Sequence, residues 1–214
     1  MSTARVSVNL EQAHRMAERF VELGWHTRKQ ARVHYNPLPS DNHERMIEYY
    51  FFTSMLLFDF KGLEATMPDG RYMKGNNVFD HLASGAFKRN PDFWTAASLA
   101  RTSDDEFNAV FSLSGDAAAP TVSRMPERIE VLRDAAKVLN EQWGGSVLRL
   151  IETHPHLADD PVSGREGLLS VVLRSFKGFD DPIFKKFAVF LKALAMSDIW
   201  HAADPENIPF PVDY

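Results

Sequence analysis

Cysteine is absent from all 214 residues. That absence excludes a disulfide framework, a Cys-ligated zinc site, an iron–sulfur cluster and a thiol nucleophile. Long hydrophobic runs are missing as well. The richest stretches, Tyr49 to Phe52 and Met55 to Phe58, fall far short of the roughly 20 apolar residues that a bilayer-spanning helix needs, so no membrane partner is expected. The opening MSTARVSVNL has one Arg and no apolar core, which argues against a secretory signal and makes the cytoplasm the expected location. Positive charge is not in excess either: 24 Lys and Arg stand against 29 Asp and Glu, a formal charge of −5. Duplex-binding proteins gather a basic face to neutralise phosphates, so duplex nucleic acid is not an expected partner. The basic clusters at His26 to Arg32 and at Lys185 with Lys186 read first as solvated helix faces or ends, with local phosphate binding as the alternative.

The common catalytic signatures are also lacking. There is no G-x-S-x-G, H-E-x-x-H, Walker loop or G-x-G-x-x-G, and no cofactor is indicated. His154 and His156 sit two apart with Asp159 and Asp160 nearby. Pro155 keeps the two histidines off a regular helix and no third ligand has a familiar spacing, so this segment reads as a polar helix-end loop and no metal ligands are expected. Trp143-Gly-Gly-Ser146 has a superficial likeness to a phosphate loop but reads as a glycine break between helices.

What is present is an ordinary core-forming composition, 44% hydrophobic and 25% charged. A chain of this length buries roughly 70% of its unfolded surface without staples. Leu10, Ala13, Met16, Ala17, Phe20 and Val21 recur at helical spacing behind an Asn9 cap, with Gly24 as the stop. Tyr35-Asn-Pro-Leu-Pro-Ser40 reads as a loop, because prolines forbid a helix interior. From about Asn42 to Phe60 the chain is aromatic and apolar nearly all round, the pattern of a buried central helix. Met67-Pro-Asp-Gly70 and the glycines around Tyr72 predict a short hairpin. Helices are expected at 78–87, 93–100, 104–113, 126–143, 147–154, 164–176 and 182–200. Ser103 with Glu106 forms a capping box, Pro126 stands in a first turn, and Ser146 caps the helix after the glycines. The predicted fold class is mainly α: a single helical domain over residues 1–214, with at most a short β-hairpin near 66–76.

Two carboxylates near the C-terminal end are candidates for chemistry. Asp198 lies near the end of an otherwise apolar helix, where partial burial would make it a proton carrier or a paired structural group. Asp213 follows Pro209-Phe-Pro-Val212, a rigid presentation suited to fixing one carboxylate at a pocket edge. An aspartate held this way suits a glycosidic bond: it can stabilise an oxocarbenium-like centre, activate water or attack the anomeric carbon.

These residues carry a resemblance. Trp143-Gly-Gly-Ser-Val-Leu148 with the helix start Pro126-Glu-Arg-Ile-Glu-Val-Leu132 resembles a segment of the queuosine salvage family, the queuosine 5′-phosphate N-glycosylases. In the same order, Tyr50-Phe-Phe-Thr53 through Phe58-Asp-Phe60 is similar to that family's aromatic helix, and the Gly70 to Gly75 turn around Tyr72 to its glycine excursion. Leu194-Ala-Met-Ser-Asp-Ile-Trp200 resembles its Ala-Asp-x-Trp helix end, and Pro211-Val-Asp-Tyr214 its Asp-Tyr motif. The last segment is also similar to the Pro-Val-Asp of helix-hairpin-helix DNA glycosylases.

The resemblance implies an orthogonal helical domain of the DNA-glycosylase-like kind, and hydrolysis of an N-glycosyl bond that releases a modified base such as queuine from a nucleoside 5′-monophosphate. It implies Asp213 and Asp198 as catalytic residues, and Trp200, Tyr214, Phe58, Phe60, Lys61 and Tyr72 as substrate-binding ones. Lys61, Arg71, Lys74 and Lys185 are candidate partners for the phosphate. At Ser54, Leu57 and Lys61 this chain departs from the family's carboxylate, amide and second Trp. The family also continues beyond Asp-Tyr, so the C-terminus is expected to be incomplete and its apolar faces to need a second chain or self-association. Those departures keep two alternatives in view: an inactive binding or assembly module on the same scaffold, and a DNA glycosylase-like protein.

Overall fold

The computed structural model of the protein describes Arg15 and residues 42–67, 69–182, 184–197 and 199. The chain divides into two compact units, Met1–Asn36 and Pro37–Tyr214, and the elements described all lie in the second. The expected Leu10 to Val21 helix and the Tyr35 to Ser40 loop lie outside the described residues, as do Asp198, Trp200, Asp213 and Tyr214.

The protein is mainly α with one short hairpin, as the sequence predicts. Helix α1 spans His43–Met55, and the Asn42 side chain caps it by accepting the Arg45 N–H at 3.2 Å. Every residue from Met46 to Met55 is buried, which is why its apolar positions show no single stripe. The predicted extension to Phe60 is not realised. Leu56 closes the helix: its carbonyl accepts from the Phe58 N–H at 2.8 Å and from an arginine of another helix, which also bonds the Phe58 carbonyl. Phe58 and Phe60 therefore lie on a connecting segment.

Strands β1 (Glu64–Thr66) and β2 (Tyr72–Lys74) pair antiparallel, with Ala65 opposite Met73. Gly70 takes the left-handed backbone of the turn, at φ 83°. Helix α2 (Asn76–Arg89) follows. The single helix expected at 93–100 is instead a 3-10 turn, Pro91–Trp94, and a short α3, Ala96–Leu99, because Asn90 and Thr95 each cap a separate turn. Helix α4 (Asp104–Val110) carries the predicted capping box between Ser103 and Glu106. Helix α5 (Met125–Trp143) has Pro126 in its first turn and stops at Gly144, left-handed at φ 61°. Ser146 then caps α6 (Val147–Thr153).

Helix α7 runs only over Leu168–Ser175. Its expected start at Gly164 fails because Asp160 and Arg165 exchange backbone hydrogen bonds at 2.8 and 3.1 Å, which holds a tight loop. A 3-10 turn, Lys177–Phe179, leads to α8 (Lys185–Met196).

Helix α1 is the centre of the packing, lying against α5, α6 and α8. Phe51, fully buried, meets the rings of Phe52, Phe176, Phe179 and Phe190 at 5.1–5.5 Å, all edge to face. Each such pair adds about 0.5–1.5 kcal/mol beyond burial. Gly178 allows a close approach to α1, since a Cβ there would lie 2.7 Å from Met55 Sδ.

Candidate functional site

The segment after α1 is held by one arginine. Met125, Ile129, Leu132, Ala136 and Leu139 form the buried face of α5, and the helical period places Arg128 on that same face, with no exposure at all. Its guanidinium donates to the carbonyls of Leu56 at 2.5 Å, Phe58 at 2.6 Å and Ser123 at 2.8 Å. It also lies over the Phe58 ring, 4.2 Å from the centroid, and 5.3 Å from that of Phe60. Burial lowers its pKa to about 10, with Asp59 opposing the shift and Arg124 adding to it, so it stays charged at neutral pH.

Two further cations reach the same ring. The Arg124 guanidinium lies 5.3 Å from the Phe58 centroid and Lys186 Nζ lies 5.0 Å from it. Lys186 is half-buried and donates to the Gly178 carbonyl at 3.0 Å. Burial lowers its pKa and Arg128 lowers it further, against Asp181 and Asp180. The reading of Lys185 and Lys186 as a solvated helix end is therefore corrected for Lys186: position 186 shares the helix face of Phe190 and Ala193, both buried, while Lys185 is exposed.

The backbone marks the same place. Among the described residues three non-glycines have left-handed φ: Asp59 at 52°, Arg124 at 56° and Phe184 at 55°. Asp59 adjoins Phe58, Arg124 precedes α5, and Phe184 precedes Lys185 at the start of α8. This conformation costs a bulky residue about 1–2 kcal/mol and gathers at functional sites. Ser123 adds a tie, its hydroxyl donating to the Asp59 carbonyl at 3.3 Å.

Of the residues singled out in the sequence, Phe58 and Phe60 come together here, both half-buried, with Phe60 packed 5.3 Å from Phe79. Lys61 is exposed. Tyr72 belongs to the hairpin, 56% exposed, and its hydroxyl donates to Glu64 Oε2 at 2.5 Å, a bond that raises its pKa. Arg71 is paired with Asp69 at 2.7 Å and Lys74 with Glu64 at 3.9 Å. Sequence reasoning missed Arg124 and Arg128. The helical period of α5 held the signal for Arg128, an inward charge on an apolar face.

A cleft of about 360 Å³ adjoins this edge, lined by Asn108, Val122, Ser123, Arg124 and Ile129 among others. The carboxylates near His154 and His156 are engaged in loop structure. Asp159 accepts from the Gly167 N–H and Ser170 Oγ, and Asp160 from the Val162 N–H and Ser163 Oγ. Among the described residues no three His, Asp or Glu converge as a metal-holding group.

What the edge offers is a half-exposed aromatic surface backed by concentrated positive charge. Such a surface suits a flat, anionic ligand. No curated protein matches the chain. The family model described as queuosine salvage protein matches residues 35–210. That match spans α1 through α8 and more than four-fifths of the 214 residues, and the chain belongs to the queuosine salvage protein family.

Proposed function

We propose that, within queuosine salvage, this chain hydrolyses the N-glycosidic bond of a queuosine-type nucleoside 5′-monophosphate. Hydrolysis breaks the bond between base and C1′, places water's oxygen on C1′ and returns a proton to the departing base. Asp213 would stabilise or attack the anomeric carbon, and Asp198 would hold the water, the ribose hydroxyls or the base edge. Trp200 and Tyr214 would form flat walls with Phe58 and Phe60. The observation that carries the reading is the family match over residues 35–210. The half-buried rings of Phe58 and Phe60 beside the cations support it.

The test is chromatographic measurement of queuine released from queuosine and from its 5′-monophosphate by the full chain. Release is expected from wild type, with a loss of about 100-fold or more in Asp213→Asn and a smaller loss in Asp198→Asn. Unchanged release in Asp213→Asn overturns the mechanism. Tight nucleotide binding by wild type without any release identifies a binding module instead.

A further inference from the structure

Helix α1 reaches α8 through a hydroxyl as well as through its rings. Tyr50 is 3% exposed, and its Oη shares a hydrogen bond of 3.2 Å with Ser197 Oγ, which joins positions 147 apart in the sequence. The Tyr50 ring packs edge to face against Tyr49 at 5.3 Å, and Tyr49 in turn packs against Phe87 and Trp94. A tyrosine has two side-chain torsions, so a ring packed in this way delivers its hydroxyl to one place at small entropic cost. Burial raises the Tyr50 pKa, with the Ser197 bond opposing the shift, so the phenol keeps its proton at neutral pH. Phe51 and Phe52, next along α1, are fully buried without a hydroxyl. The hydroxyl at position 50 therefore adds direction rather than bulk.

Ser197 is where α8 stops. Its N–H donates to the Ala193 carbonyl at 3.1 Å, and the Ile199 N–H donates to the Leu194 carbonyl at 3.0 Å, bonds of the kind that satisfy the orphan carbonyls of a helix end. Ala193 and Leu194 are buried. Backbone bonds of this kind fix a helix end relative to its own axis, whereas a side-chain bond to another element fixes it relative to the rest of the protein. Tyr50 supplies such a bond, from the central helix. Position 198 falls between the two bonded residues. The reading proposed above gives Asp198 the water, the ribose hydroxyls or the base edge to hold, and a displacement of about 1 Å in a reacting constellation costs up to about 100-fold in rate.

We infer that Tyr50 and Ser197 are positioning residues: their hydrogen bond holds the end of α8, on both sides of Asp198, in place for hydrolysis. The inference rests on the role which that reading gives to Asp198.

The experiment measures kcat and KM for queuine release from the nucleoside 5′-monophosphate by the full chain, together with amide hydrogen exchange at the end of α8. Tyr50→Phe and Ser197→Ala should each lower kcat about tenfold with KM unchanged, and each should quicken exchange at Ser197 and Ile199. The double variant should fall no further than either single one, because both remove the same bond. Ser197→Thr keeps the hydroxyl and should keep the activity. Thr53→Val removes another buried hydroxyl of α1, one that donates to the Tyr49 carbonyl within the helix at 2.7 Å, and should leave kcat as in wild type. The pH profile of kcat should hold its shape in Tyr50→Phe, since a positioning hydroxyl transfers no proton. Ser197 is only half-buried, so its variant reports even if Tyr50→Phe folds poorly.

Full kcat in Tyr50→Phe or Ser197→Ala, a raised KM in place of a lowered kcat, unchanged exchange in both variants, or an equal loss in Thr53→Val overturns the assignment and leaves the glycosidase reading standing. A limb lost from the pH profile overturns it as well, by making Tyr50 an acid or base. Wild type that releases no queuine overturns the glycosidase reading and this assignment together.

Discussion

Phe51 and Phe58 stand two helical turns apart in sequence, and their surroundings are opposite. Phe51 sits inside α1, fully buried, with four aromatic neighbours. Phe58 sits just past the helix, half-buried, with three cations at its ring. One environment is saturated by apolar partners. The other holds charge and left-handed backbone. The first carries the stability of the fold, and the second is arranged at some cost to it, which is how sites that bind something are ordinarily built.

The severest test of this contrast is Phe51→Ala. Removing the shared partner of four rings should cost about 3–5 kcal/mol, read by urea unfolding, with the cations at Phe58 left in place. A cost under 1 kcal/mol would mean the ring cluster is not the centre of the core. Next comes Arg128→Met, which removes the arginine donor from the Phe58 and Ser123 carbonyls and one of two donors from that of Leu56, and should cost about 2–4 kcal/mol. Arg128→Lys should recover less than half of that, because an ammonium cannot reach three carbonyls at once. Full recovery by Lys would mean that charge alone, rather than the guanidinium fork, holds the segment after α1.

A third test concerns Glu48, a carboxylate inside the apolar stretch of α1. Burial raises its pKa from 4.5 to about 7, against the opposing Arg45, which bonds it at 2.9 Å. The folded state thus holds this proton more tightly than the unfolded state does. Its contribution is complete below pH 4.5 and is lost as pH rises through 7. Wild type should lose up to about 3 kcal/mol across that window relative to Glu48→Gln. Parallel stability curves for the two proteins would place the carboxyl in its ordinary range. The smallest effect belongs to the hairpin. Glu64→Gln weakens exposed contacts to Tyr72 and Lys74 and should shift stability by about 0.5 kcal/mol or less. A larger change would give the hairpin a packing role that its exposure contradicts.

Much of the fold was legible beforehand, for local reasons. The Ser103–Glu106 box, Pro126, Gly144 and Ser146 act through neighbours within four residues, and each performs as its chemistry dictates. The misplaced boundaries share another cause. Helix α1 stops early where the Leu56 and Leu57 N–H groups close on Thr53 and Ser54 and Arg128 takes up the carbonyls of Leu56 and Phe58 beyond, and α7 starts late because the Asp160–Arg165 loop and a backbone contact at Gly167, where a Cβ would lie 2.4 Å from Leu157 O, occupy the preceding residues. Of the site, Phe58 and Phe60 were legible, whereas Arg124 and Arg128 were not.

The amino-acid sequence by itself determined the helical class, the hairpin, most caps and the family, because period, capping and motif order are properties of neighbouring residues along the chain. Only the tertiary structure decided that Phe58, Arg124, Arg128 and Lys186 share one place. Residues more than 60 positions apart meet through the packing of α1 against α5 and α8, and a charge turned inward looks, in sequence, like any charge on a helix.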